Sequence, residues 1–333
     1  MYLLLGTCLA LASFFALNAF ASALISLLGR IATLLAQRWS ARTRAEFLFA
    51  LRIAGPIFSL IVVAILFVPS YVGYEPYGTS EVVSRKLATL AAISFLGLGF
   101  AFWRAFRSWI ATRRLERQWL RDAVSIRLPL LDIPTFRIAH PFPIIAVVGT
   151  LRPRLFIAEH VLESLTEDEL AAAIAHETGH LAARDNFKRA LLRICRDLLT
   201  IVPSGRSLDR AWAESVECAA DEHAAQLSPD VALNLASALV RIARMVPVGM
   251  RTELPLATFL VGEETRGIKT RVRRLIEIAS ASRSNGAQRL RIGALAPVAG
   301  LLAFVTLTIA VAANSHVLLR VHSVVEQVVS LLS

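Results

Sequence analysis

The chain has 333 residues, 56% of them hydrophobic, with a mean hydropathy of +0.58, a formal charge of +11 and a pI near 10.6. That exceeds the roughly 45–50% apolar usage of ordinary globular proteins and argues against a purely soluble domain. The basic balance does not indicate nucleic acid, because the charge is segregated: 33 of the 36 Lys and Arg residues lie in segments 30–52 and 104–291.

Four stretches carry no Asp, Glu, Lys or Arg: residues 3–29, 53–74, 87–103 and 292–319. A helix needs about 20 apolar residues, within a range of roughly 17–25, to cross ~30 Å of hydrocarbon. The pattern predicts transmembrane helices over 1–29, 53–74, 87–103 and 292–313. The first lacks a basic n-region and exceeds the 7–15 apolar residues typical of a signal peptide, so it reads as a retained span. Between the first two spans lies a basic loop, 30–52, with Arg30, Arg38, Arg42, Arg44 and Arg52. By the positive-inside rule this loop and segment 104–291 are cytoplasmic. The outer loop 75–86, the tail 314–333 and both termini are then outside. Such a chain is a multi-pass protein of a bacterial-type inner or plasma membrane, with lipid as an obligatory partner and no nucleic acid. No charge interrupts the four runs, which argues against an ion-conducting path.

The 188-residue inner segment is long enough for one core of its own. Residues 103–121 read as an amphipathic helix leaving the membrane. Residues 136–140 alternate, 144–148 form a β-branched run, and Gly149-Thr150-Leu151-Arg152-Pro153 supplies a turn before 154–158, which together predict a hairpin. Thr166 and Glu169 form a capping box that opens a helix over 167–183. Further helices are predicted over 186–202, 208–227, 231–245 and 269–278, with Ser228-Pro229-Asp230 as a break. Cys8, Cys195 and Cys218 have no metal-like spacing and give no disulfide framework.

Within the capped helix stands His176-Glu177-Thr178-Gly179-His180. Histidines four apart share a helix face and can reach one ion, and zinc favours imidazole. Glu177, beside the first histidine, is placed to take a proton from water that the metal has acidified. A catalytic zinc needs a third protein ligand. Glu217, on the helix after next, is the first candidate, with Glu214 and Glu222 as alternatives. Asp221, four residues beyond Glu217, and Asp185, five beyond His180, are positioned to orient the liganding rings. The expectation is a hydrolase of peptide bonds with one Zn2+ per chain. A zinc-binding signalling or scaffold protein without turnover is the alternative, against which Glu177 counts, since a structural zinc needs no general base. His223, His140, Arg271 and Arg274 receive no assigned role.

The stretch from Leu165 through the histidine pair to Arg184-Asp185-Asn186, with Glu217-Cys218-Ala219-Ala220-Asp221, resembles the membrane gluzincin peptidases. That group includes HtpX-like stress proteases, CAAX prenyl endopeptidases and BlaR/MecR antibiotic-sensing transducers. The run from Val148 to Phe156 and the order of spans are most similar to the BlaR/MecR type. The resemblance implies an integral-membrane, mainly α-helical chain with about four spans and an α+β gluzincin metalloprotease domain between the third and fourth. It implies His176, His180 and Glu217 as zinc ligands and Glu177 as general base. It also implies that the hairpin offers an edge strand to an extended protein or peptide substrate, a binding mode that strand physics supports. The transducers carry a large outer sensor after the last span, whereas about twenty residues follow it here, so activation by antibiotic is not carried over.

Overall fold

The structure, a computed structural model, describes residues 2–36, 39–76, 83–128, 131–197, 206–246, 257–259, 265–282 and 296–332. Among the described residues three helices are long and apolar enough to cross a membrane: Tyr2–Gly29 within α1 (Tyr2–Ala36), the stretch Ala41–Tyr74, and α4 (Arg85–Trp119). Ala41–Tyr74 comprises α2 (Ala41–Val62), a π-helical turn Val63–Phe67 and α3 (Val68–Tyr74). The π turn precedes Pro69, whose missing N–H interrupts the α pattern. Leu3, Phe20 and Leu27 on α1 and Phe95, Leu96 and Phe102 on α4 stand exposed. Outward apolar faces on this scale fit lipid rather than water.

At 1.5 Å per residue α4 is about 52 Å long, so it outruns ~30 Å of hydrocarbon by some 20 Å. Its overhang begins at a belt in which Arg104, Arg107 and Arg113 lie over the rings of Phe100, Trp103 and Trp109, the amphipathic arrangement that suits a headgroup layer. The expected third span and the amphipathic helix after it are therefore one continuous helix. Further along, Glu116 accepts from Arg154 at 2.6 Å, and Trp119 packs edge-on against Phe156.

The basic segment 30–52 is not a loop where it is described. It is the end of α1 and the start of α2, joined around Ser40, which caps α2 through Thr43 N–H; Arg38 lies outside the described residues. Its cations do more than face lipid: Arg44 donates to Ser215 at 2.8 Å and Arg52 pairs with Asp209 at 3.0 Å. Residues 315–332 of the expected tail are likewise helical. After α11 (Ala296–Ala312) the chain turns by 91° into α12 (Ser315–Leu332), which packs against α3 and α4. Residues 77–82 of the expected outer loop, 198–202 of the expected 186–202 helix and 292–295 of the expected fourth span lie outside the described residues.

After α4, the described residues form a five-stranded mixed sheet, ordered β1-β2-β4-β3-β5, covered by helices. Its strands are β1 (Val124–Ile126), β2 (Thr135–Ile138), β3 (Ile145–Val148), β4 (Arg154–Ala158) and β5 (Ala257–Phe259). The expected hairpin is β3–β4, antiparallel from Ile145↔Ile157 to Val148↔Arg154, and Gly149 at φ +102 begins its turn. A Cβ there would meet the Arg152 carbonyl oxygen at 2.8 Å, which only glycine avoids. Two strands, β1 and β5, and the short α5 (Glu159–Ser164) lie beyond the sequence reading. The helices follow as α6 (Glu167–Ala183), α7 (Asp185–Asp197), α8 (Arg206–Ala225), α9 (Pro229–Met245) and α10 (Thr265–Ser282). Strands β3 and β4 and the inner faces of α6 and α9 form one core around Phe156, Ile145, Leu235 and Leu239.

Candidate metal centre

Helix α6 is set by local chemistry at both ends. Thr166 Oγ1 accepts from Glu169 N–H while the Glu169 carboxylate accepts from Thr166 N–H, the reciprocal capping box expected from the sequence. Ser237 of α9 also donates to Glu169 at 2.6 Å. The helix ends at Arg184, a non-glycine residue in the left-handed region at φ 54. That turn swings Asp185 back to within 2.8 Å of His180 Nδ1. The next residue, Asn186, donates through its side chain to the carbonyls of Val147 and Gly149, tying the corner to β3. Strand β3 is thereby fixed over the helix that bears the histidines.

Residues from three elements meet there. The Nε2 atoms of His176 and His180 lie 3.1 Å apart. Glu217 of α8 approaches both, with Oε2 3.7 Å from His176 Nε2 and Oε1 3.8 Å from His180 Nε2. These three ligand atoms lie within 4.8 Å of one another, close enough to share a metal ion. Behind each ring is a carboxylate: Asp221 Oδ1 stands 2.9 Å from His176 Nδ1, as Asp185 does behind His180. With the Nδ1 protons turned to the aspartates, both Nε2 atoms present lone pairs to the same point. Two facing lone pairs repel unless a cation joins them, and two imidazoles with one carboxylate are a donor set of catalytic zinc. The residues therefore fit a metal of that type.

The alternatives to Glu217 are occupied elsewhere or exposed. Glu222 accepts from the Ala41 N–H and pairs with Arg274, and Glu214 is exposed. Cys218 is half-buried, and burial raises its thiol. His223 is half-buried, its Cβ facing Gly179, and His140 Nδ1 engages the backbone of Phe142 beside Trp119. Neither histidine joins the cluster.

Arg271, left without a role by the sequence, is the fourth charged group of the centre. Its guanidinium forks onto Asp221 at 2.8 and 2.7 Å and reaches Glu217 Oε2 at 3.1 Å. It belongs to α10, 50 positions beyond Asp221. The signal that could have found it is a balance of charge: a buried Asp221 and a half-buried Glu217 on one face of α8 need a cation.

Electrostatics separate the two acidic roles. Burial alone would raise the Asp221 carboxyl, but Arg271 overrides it and holds the group well below the usual carboxylate range. Burial lowers His176 against the opposing pull of Asp221. For His180, Asp185 together with Glu217 and Glu177 outweighs burial and raises the ring. Glu177 is fully buried, and neither of its oxygens completes a hydrogen bond of normal geometry. Burial pushes its carboxyl up to about 8, against the pull of His180. A buried carboxyl that binds a proton near neutrality is suited to general acid–base work.

Comparison with known proteins bears on the same segment. Residues 110–213 match the model of Peptidase family M48, from the overhang of α4 through β1–β4 and α5–α7 into α8. The match includes His176, Glu177 and His180 and stops before Glu217, Asp221 and Arg271. No curated protein matches the chain. Metal-dependent hydrolysis of peptide bonds is the chemistry of that family, and the cluster on α6 and α8 is where this chain could hold the metal: residues 110–213 are similar to an M48 peptidase domain, and the protein is a metallopeptidase with apolar helices fit for a membrane.

Proposed function

We propose that the chain is a membrane-integrated, zinc-dependent endopeptidase of the gluzincin type, acting on cytoplasmic or membrane proteins in regulatory proteolysis or quality control. The observation that carries this reading is the convergence of His176, His180 and Glu217 beside a fully buried Glu177. In this reading His176, His180 and Glu217 hold one zinc, while Asp221 and Asp185 fix the tautomer and direction of the two rings. Zinc, when bound, supplies Lewis acidity that brings the pKa of water down to about 7. A Glu177 carboxylate oxygen takes the proton from the attacking water and delivers it to the departing amine as the C–N bond breaks. Arg271 keeps Asp221 ionised and Glu217 oriented.

The β3–β4 hairpin does not offer the free edge expected of it, because β3 lies between β4 and β5; an extended substrate segment would add to the outer edge of β5 or take its place beside β3. Four spans, a cytoplasmic centre and outside termini complete the reading, with an order of spans similar to that of the BlaR/MecR type. The segregation of Lys and Arg supports the orientation. Reporter fusions at Gly78 and Ser204 test it: cytoplasmic signal at Gly78 or external signal at Ser204 reverses it.

The mechanism is tested by Glu177→Gln, which keeps shape and removes basicity. Zinc content should persist, while cleavage of an unfolded casein-like substrate falls by at least the ~10²–10⁴-fold typical of losing a general base. A fully active variant ends the assignment of Glu177. A wild-type chain that binds zinc and cleaves nothing, in native membranes as in detergent, supports a scaffold instead.

A further inference from the structure

A second trio of metal-ligating side chains lies far from the peptidase centre. Glu75 follows the last turn of α3, and His322 and Glu326 stand four apart on one face of α12. His322 Nε2 is 3.3 Å from Glu326 Oε1 and 3.8 Å from Glu75 Oε2, and the three ligand atoms lie within 4.8 Å of one another. Bonds of about 2.0–2.2 Å at tetrahedral angles put ligand atoms roughly 3.3–3.6 Å apart. The spacing thus resembles that of His176, His180 and Glu217, at 3.1, 3.7 and 3.8 Å.

Burial gives an independent reason for a cation. His322 as a residue is 9% exposed, and the Glu75 side chain 7%. Among the described residues one imidazole faces two carboxylates through its Nε2. A buried carboxylate needs a charge partner, and one shared imidazolium leaves a net negative cluster. A divalent ion on a neutral His322 would neutralise both acids. Glu326, with its side chain 57% exposed, leaves the cluster open to solvent on one side.

The surrounding contacts are built to hold α12 in place. Ser70 donates to the Leu318 carbonyl at 2.9 Å, Tyr74 donates to the Ser315 carbonyl at 3.2 Å, and the Tyr74 ring lies 6.1 Å from that of His322. Val325 is buried with Leu5, Leu9, Tyr71 and Leu87.

The geometry points to a second divalent-cation site at Glu75, His322 and Glu326, which pins α12 across the end of α3. One imidazole with two carboxylates suits a zinc-class ion better than calcium or magnesium, which favour all-oxygen shells. The Ala41–Tyr74 helix carries the peptidase unit's contacts near its start and this cluster at its end. At 1.5 Å per residue its 34 residues separate the two by about 50 Å, so the cluster forms no part of the peptidase centre.

The test counts metal. Full-length chain in detergent is stripped by chelator, equilibrated with micromolar Zn2+ and analysed by mass spectrometry for zinc per chain. Wild type should hold two. The His176→Ala/His180→Ala variant should hold one, and adding His322→Ala should remove it. Glu326→Gln, at a solvent-facing position with little risk to folding, should lower the affinity of the remaining site by at least about 10-fold, the lower end for losing even a supporter of a ligand. The proposal is overturned if His176→Ala/His180→Ala holds no zinc, or if its zinc survives both Glu326→Gln and Glu75→Gln. A wild type with one zinc that is lost on His322→Ala but kept on His176→Ala/His180→Ala supports this site and overturns zinc at the peptidase centre.

Discussion

Gly179, between Thr178 and His180 of the histidine motif, sets how closely α6 and α8 approach. A Cβ built there meets the Ala220 Cα at 3.1 Å, the His223 Cβ at 3.2 Å and the Ala220 Cβ at 3.4 Å. Carbon atoms prefer about 3.5–4.0 Å, and two of these neighbours are backbone or sit directly on it, so α8 must retreat by a few tenths of an ångström. Glu217 and Asp221 flank Ala220 on that helix and move with it. Metal–ligand distances hold to about ±0.2 Å, so the shift exceeds what a zinc shell absorbs. In Gly179→Ala the helix propensity gain is about 1 kcal/mol, against an overpacking cost of about 1–3 kcal/mol. Stability should therefore change by no more than about 2 kcal/mol. If the overpacking cost falls wholly on the bound state, zinc affinity drops about 5- to 140-fold at 1.4 kcal/mol per decade. Gly179→Leu, which forces a larger separation, should abolish tight binding. The assay is competition of the detergent-purified chain against a fluorescent zinc chelator, beside a thermal melt. Wild-type affinity in Gly179→Leu would refute the claim that this contact sets the ligand geometry.

Three further outcomes follow from the packing. Glu217→Ala should lose most bound zinc by atomic absorption and Glu222→Ala should retain it, because Glu222 is committed to Arg274 and the Ala41 N–H; the reverse pattern would identify Glu222 as the ligand. Arg271→Met strips a buried carboxylate of its forked partner and should destabilise the fold by about 3–5 kcal/mol, and a melting temperature within experimental error of wild type would show that Asp221 does not depend on it. Cys195 is buried and its thiol is pushed up to about 11 by that burial, so at pH 8 it is almost wholly protonated. Its alkylation by iodoacetamide in the folded chain should be roughly 200-fold slower than for a free cysteine of pKa about 8.5, and equal rates would contradict the burial.

Much of this protein is written in short-range spacing. The apolar runs are visible because a span is defined by the length of one charge-free segment, and the β3–β4 hairpin because its turn residues are contiguous. Helix α6 is visible because Thr166 and Glu169 cap it locally and His176 and His180 fall on one face, so the metal pair and its neighbouring glutamate are legible together. Choosing among Glu214, Glu217 and Glu222 is a different matter. On a helix these positions lie within one broad arc, and only the rotation of α8 about the Gly179–Ala220 contact turns Glu217 towards the rings. Arg271 reaches the centre from a helix 50 positions past Asp221, and β5 completes the sheet 109 positions past its β3 partner, Val148↔Ala257. Glu75 meets His322 across 247 positions. Contacts at such separations leave no periodic trace in the sequence, because they depend on how whole elements pack. Sequence determined the long apolar runs, the β3–β4 hairpin and the capped helix with the chemistry it carries, and tertiary packing decided which distant charges that chemistry is given.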